Sequence, residues 1–199
     1  MIDIARRRQR PGTGSRLQRQ DVALRRWPDL SELLKGIPWA VVGGVATRNY
    51  MPERATQDLD VAILAGDAAV VADRLRSAGF VHSGPLHIGG DAWQAPDGTP
   101  LDVIEVREAW WPSALAAAAD NLDQQGLPVL PLTYLILMKL LSGRMVDLGD
   151  IGRMLGGASA ANLESVRAVV VAHAPDLEDD LESMIELGQL ELEAGEEPR

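Results

Sequence analysis

Two aspartates with one residue between them, Asp58 and Asp60, open the short apolar run Leu59-Asp60-Val61-Ala62-Ile63-Leu64. Side chains alternate along an extended strand, so both carboxylates project from one face. Such a pair can hold a divalent cation. The spacing recurs by chance in a chain with 17 Asp, and only its surroundings give it meaning. A third acid, Asp102, lies in the apolar run Leu101-Asp102-Val103-Ile104-Glu105-Val106, where burying a carboxylate requires a compensating charge. Asp58, Asp60 and Asp102 on neighbouring strands suit one or two Mg²⁺ ions in oxygen shells, the arrangement that serves in-line phosphoryl and nucleotidyl transfer. The plain alternative is a set of strand-end acids in water. Gly43-Gly44 follows a further apolar run, Trp39-Ala40-Val41-Val42. A glycine pair there exposes backbone N–H groups at the start of a helix, where a triphosphate can dock, although Gly-Gly turns also occur in inert loops.

The elements that must position these residues read as follows. Trp39 to Val42 and Leu59 to Leu64 are expected as buried strands, with a short helix over Val45 to Tyr50 between them. Asp67 to Ala78 carries an N-cap aspartate, apolar residues at helical spacing and a closing Gly79, which predicts a helix lying on the sheet. Phe80 to Ser83, Leu86 to Ile88, Ala92 to Ala95 and Leu101 to Val106 are expected as short strands, separated by Gly84-Pro85, Gly89-Gly90 and Asp97-Gly98. Beyond about residue 112 the pattern turns helical, with apolar spacings of three and four over 132–141, 147–155, 160–172 and 176–187. Trp93, Trp110 and Trp111 are expected to anchor packed layers rather than to stack on a base. His82 and His87 have no partner at metal-ligand spacing, and His173 is expected as a surface residue near a helix end.

Composition limits the chemistry. The absence of cysteine excludes disulfides and thiolate metal sites, so any metal must sit on oxygen or histidine. No apolar run reaches membrane-spanning length, and the arginine-rich start lacks the apolar stretch of a signal peptide, so a cytoplasmic protein with no membrane contact is expected. The net charge of −10 divides unevenly: residues 1–27 carry +6, residues 28–175 carry −7 and residues 176–199 carry −9. An arginine arm can attract a phosphate backbone, or it can be a solvated segment. Walker A, Gly-x-Ser-x-Gly and Gly-x-Gly-x-x-Gly sequences are missing, which removes the signatures of P-loop kinases, α/β hydrolases and dinucleotide-binding folds.

Gly43-Gly44-Val45-Ala46, then Arg54-Ala55-Thr56-Gln57-Asp58-Leu59-Asp60-Val61, then Leu101-Asp102-Val103-Ile104 resembles the motif series of the DNA polymerase β-like nucleotidyltransferase superfamily. Lys139 and Arg144, followed by Asp147 and Asp150, resemble the Lys-x₄-Arg and Asp-rich signature of its AbiEii-like branch, which contains toxins of toxin–antitoxin systems. The resemblance implies that Gly43 and Gly44 line the triphosphate and that Asp58 and Asp60 bind Mg²⁺. Asp102 then completes the site as metal ligand or base, and Thr56 faces the nucleotide. Lys139 and Arg144 are implied as phosphate-binding cations, Lys139 as the holder of the β- and γ-phosphates, with Asp147 and Asp150 orienting them. Gly44 stands where the family often has serine and brings no hydroxyl.

The expectation is an α/β (α+β) mixed-sheet nucleotidyltransferase core over residues 28–112. A basic N-terminal arm (1–27) precedes it, and a helical C-terminal region (113–190) and an acidic tail (191–199) follow. The expected activity is Mg²⁺-dependent transfer of NMP from an NTP to an acceptor hydroxyl, with tRNA or another RNA favoured, protein hydroxyls and small molecules such as aminoglycosides as the other acceptors, and a cognate antitoxin as a partner. The alternatives are a non-catalytic nucleotide-binding or protein-partner module of the same fold, and an RNA-binding module that uses the arm.

Overall fold

The computed structural model describes residues 26–52 and 56–196. The basic arm therefore lies almost wholly outside the described residues, as do Arg54, Ala55 and residues 197–199 of the acidic tail.

Five strands form one mixed sheet in the order β1-β2-β5-β4-β3: β1 is Trp39–Val41, β2 Leu59–Leu64, β3 Val81–Pro85, β4 Gly90–Gln94 and β5 Pro100–Val106. β2 and β5 run parallel in the middle, and the other neighbouring pairs are antiparallel. Apolar residues occupy both faces of β2, since Leu59, Val61, Ala62 and Ile63 are all fully buried. A near-continuous apolar run is what a strand covered on both sides requires.

Helix α1 (Gly43–Ala46) follows β1 directly and continues into a 3-10 turn, Thr47–Asn49. It starts two residues earlier than expected because Gly43 adopts φ +60°, which turns the chain out of β1 at once. Helix α2 (Ala68–Ser77) buries Val71 and Leu75. Its end is a Schellman motif: Gly79 N–H donates to the Arg76 carbonyl, and Phe80 N–H donates to the Leu75 carbonyl. Asp67 precedes this helix as expected but makes no side-chain cap bond, because a 3-10 turn over Ala65–Asp67 leads into it.

The expected strand over Leu86 to Ile88 is instead the tip of the β3–β4 hairpin. Leu86 N–H donates to the Gly90 carbonyl and Gly89 N–H returns to the Leu86 carbonyl, so these apolar residues close a turn. Helix α3 (Trp111–Ala118) packs on β1 and β2. Trp93, Trp110 and Trp111 are all buried in the core.

Four more helices follow among the described residues: α4 (Leu132–Ser142), α5 (Met145–Gly156), α6 (Ala160–His173) and α7 (Glu178–Glu196). α5 and α7 pack closely through Gly152, Gly156 and Gly188. A Cβ on Gly188 would overlap the Gly152 carbonyl, and one on Gly156 would overlap the Gly188 carbonyl. Among the described residues no helix is long and apolar enough to cross a membrane.

Candidate active site

The three aspartates converge at the N-terminal ends of the two central strands. Parallel pairing of β2 with β5 sets Asp60 directly beside Asp102. Asp58 sits just ahead of β2, in the bend that leads into it. Ligand-capable oxygens of Asp58, Asp60 and Asp102 all lie within 4.8 Å of one another, the one such acidic group among the described residues. His82 and His87 stay apart from it, on β3 and in the hairpin turn. His82 pairs with Asp91 at 2.9 Å.

Burial and mutual repulsion show in the titration of the group. The Asp60 carboxyl is pushed up to about 7 by burial, with the charges of Asp58 and Asp102 adding to it; the Gly44 amide and the Arg144 charge act in the other direction. Asp102 is raised by burial first and by Asp58 second. Excess negative charge in a half-buried place is the condition a divalent cation relieves.

The glycine pair acts mainly on Asp60. A Cβ on Gly43 would overlap Asp60 Oδ2, so only glycine lets the carboxylate pack against the turn. The Gly44 amide hydrogen-bonds the same carboxylate. Thr56 also serves the acids, since its hydroxyl donates to Asp58 Oδ1 at 2.7 Å. The Gly44 amide and the Thr56 hydroxyl, both expected to face a nucleotide, are thus engaged by the carboxylates.

Lys139 and Arg144 separate. α4 ends at Gly143 with φ +61°, which reverses the chain and makes Arg144 the residue before α5. Lys139 is only 3% exposed, and its ammonium donates to Asp147 Oδ1 at 2.6 Å and to Asp150 Oδ2 at 2.8 Å. The ammonium, expected to hold the β- and γ-phosphates, is enclosed here between two carboxylates. The Arg144 side chain is 60% exposed, and its Nε donates to Asp147 Oδ2 at 2.6 Å. Its charge bears on Asp60, so it lies within electrostatic reach of the acidic group. Burial pushes the Asp147 carboxyl up, but hydrogen bonds from Arg144, Lys139 and Ser142 and the Lys139 charge hold it below its ordinary value.

Sequence reasoning missed Ser142, whose hydroxyl donates to Asp147 Oδ2 at 2.6 Å. Its place one residue before the helix-closing Gly143 is the only signal that the chain offers for it.

No family model matches the chain, and no curated protein matches it in sequence. Among solved structures it is similar to the solution structure of the antibiotic-resistance factor ANT(2'')-Ia, at 15% identity, covering 83% of this chain and 92% of that one, with a TM-score of 0.47. The crystal structure of ANT(2'')-Ia with adenylyl-2''-tobramycin aligns at 14% identity over 88% of this chain and 99% of that one, TM-score 0.47. The lincomycin-bound lincosamide antibiotic adenylyltransferase LnuA aligns at 12% identity over 76% and 94%, TM-score 0.40.

Proposed function

We propose that this protein is a Mg²⁺-dependent nucleotidyltransferase that moves a nucleoside monophosphate from an NTP to an acceptor hydroxyl. The observation that carries the reading is the convergence of Asp58, Asp60 and Asp102, with oxygens within 4.8 Å, at the N-terminal ends of two paired parallel strands. The donor set is oxygen alone and overcharged, which fits Mg²⁺ on Asp58, Asp60 and Asp102. Bound there, Mg²⁺ supplies charge neutralisation for the phosphates and for the developing transition state.

The chain's own groups do the rest. Gly43 admits the Asp60 carboxylate, the Gly44 amide fixes it, and Thr56 orients Asp58. Asp102 accepts the proton of the acceptor hydroxyl as that oxygen bonds to the α-phosphorus. The bond from the α-phosphorus to its bridging oxygen breaks, and pyrophosphate leaves. Arg144 sets its guanidinium against the negative charge of the triphosphate.

The acceptor is inferred to be an RNA hydroxyl, tRNA included, with a cognate antitoxin as protein partner and the cytoplasm as location. The acceptor and the antitoxin follow from the resemblance to the AbiEii-like branch, and the location from the composition. The test incubates the protein with each of four α-labelled NTPs, Mg²⁺ and total RNA, with lysate proteins and small hydroxyl compounds as parallel acceptors. Label should move to RNA, and Asp60→Ala should stop it. Mg²⁺-dependent NTP binding without transfer to any acceptor overturns the enzyme in favour of a nucleotide-binding module.

A further inference from the structure

We propose that Lys139 is a positioning residue for Arg144, acting through Asp147, and that Arg144 is the member of this pair that meets the nucleotide. The inference rests on the reading of the three-aspartate group as a nucleotidyl-transfer site, and it changes which cation serves that site.

Two basic residues five apart at a helix end look equivalent in a sequence. The left-handed Gly143 makes them unequal: Lys139 stays inside the α4–α5 corner, and Arg144 emerges at its apex. Asp147 bridges the two. One carboxylate oxygen receives the Lys139 ammonium; the other receives the Ser142 hydroxyl and the Arg144 Nε, each at 2.6 Å. With both oxygens held and the residue 1% exposed, Asp147 cannot rotate away. Asp150 occupies the far side of the ammonium at 2.8 Å, so two cations and two carboxylates close a nearly neutral cluster.

Because Asp147 takes Arg144 by Nε, the two terminal nitrogens of the guanidinium lie outside that bond, and a planar fork suits phosphate oxygens. An arginine free at the surface pays rotamer entropy each time it binds. Tethering Nε in advance removes part of that cost, which is preorganisation. Lys139 has no route to a phosphate without giving up its bonds to two buried carboxylates.

A double-mutant cycle decides the matter. Binding of the α,β-methylene analogues of ATP, CTP, GTP and UTP with Mg²⁺ is measured calorimetrically for the full chain, Lys139→Met, Arg144→Ala and the double variant. Arg144→Ala should weaken binding roughly tenfold to hundredfold. Lys139→Met should weaken it in the wild-type background and add nothing when Arg144 is already alanine. Equal losses in both backgrounds overturn the proposal, since they require a direct contact from Lys139. Should Lys139→Met not fold, Lys139→Met/Asp150→Asn removes the ammonium together with one carboxylate and takes its place. An independent readout is the ¹⁵N-edited Nε–H resonance of Arg144, expected to be sharp and slow to exchange in the wild type and broadened in either Lys139 variant. An unchanged resonance overturns the proposal whatever the nucleotide data say. If no analogue binds the wild type, the reading of the site fails instead, and the resonance alone judges the positioning role.

Discussion

Asp60 is the residue on which the electrostatics of the site turn, because its carboxyl titrates near 7 in the folded chain against an ordinary value of 3.8. A raised carboxyl pKa means that the folded state binds the proton more tightly than the unfolded one. Its contribution to stability is fully present below about pH 4 and is lost as pH rises through about 7. In EDTA, thermal unfolding should therefore show stability declining across that window, and Asp60→Asn should flatten the decline and match or exceed the wild type at pH 8. A wild type with no such slope would remove the basis for the crowded-carboxylate reading. In transfer assays Asp58→Ala and Asp60→Ala should each cost about 10³-fold or more, the scale of removing an electrostatic group at a reacting centre. Gly43 is as exacting as the acids. An alanine there meets a left-handed backbone, worth about 1 to 2 kcal/mol, and collides with Asp60. Gly43→Ala should lower the melting temperature and abolish label transfer together, whereas full activity in that variant would contradict the observed packing.

At the scale of elements, two contacts hold the helical region in place around the site. The α4–α5 corner is cross-linked by Lys139 to Asp147 and Asp150. Removing one partner of a buried ion pair leaves an uncompensated charge, at about 3 to 5 kcal/mol. Lys139→Ala should thus lose several kcal/mol in denaturant titration, while Arg144→Ala, cut from a side chain that is 60% exposed, should lose much less. The α5–α7 crossing depends on glycine backbones in contact. Alanine at 188 gains helix propensity of about 1 kcal/mol yet forces the helices apart, and overpacking of this kind costs about 1 to 3 kcal/mol. Gly188→Ala should be destabilising by circular dichroism melting; a rise in stability would show that the helices separate freely.

Over the whole molecule, charge is divided unevenly along the chain. The described residues hold 10 basic against 25 acidic side chains, a balance of −15, while residues 1–25 carry +5. A body so anionic repels a phosphate backbone, and affinity for RNA must then come from the arm. Deleting residues 1–25 should sharply reduce RNA affinity and its salt dependence in filter-binding assays, yet leave binding of Mg²⁺ with an NTP analogue unchanged. Persistence of salt-sensitive RNA binding after the deletion would place the contact on the body instead.

What the chain settles by itself is local. Apolar runs with bounding glycines marked β1, β2 and β5, because a strand covered on both faces must be apolar nearly throughout. The period of two aligned Asp58 with Asp60, and an acid inside an apolar run singled out Asp102. Leu86 to Ile88 misled, because a short apolar stretch reads alike as a strand or as a hairpin tip, and the register between β3 and β4 decided it. The pairing of Asp60 with Asp102 likewise waited on tertiary structure: 42 residues separate them, and only the parallel register of β2 with β5 brings them abreast. The same holds for the fate of Lys139. Spacing along a helix gives an angle around its axis, whereas burial depends on what packs against that face. Here the packing partner is α5, with Asp147 and Asp150 both bonded to the ammonium, so Lys139 is held inside and its neighbour beyond the turn is left exposed.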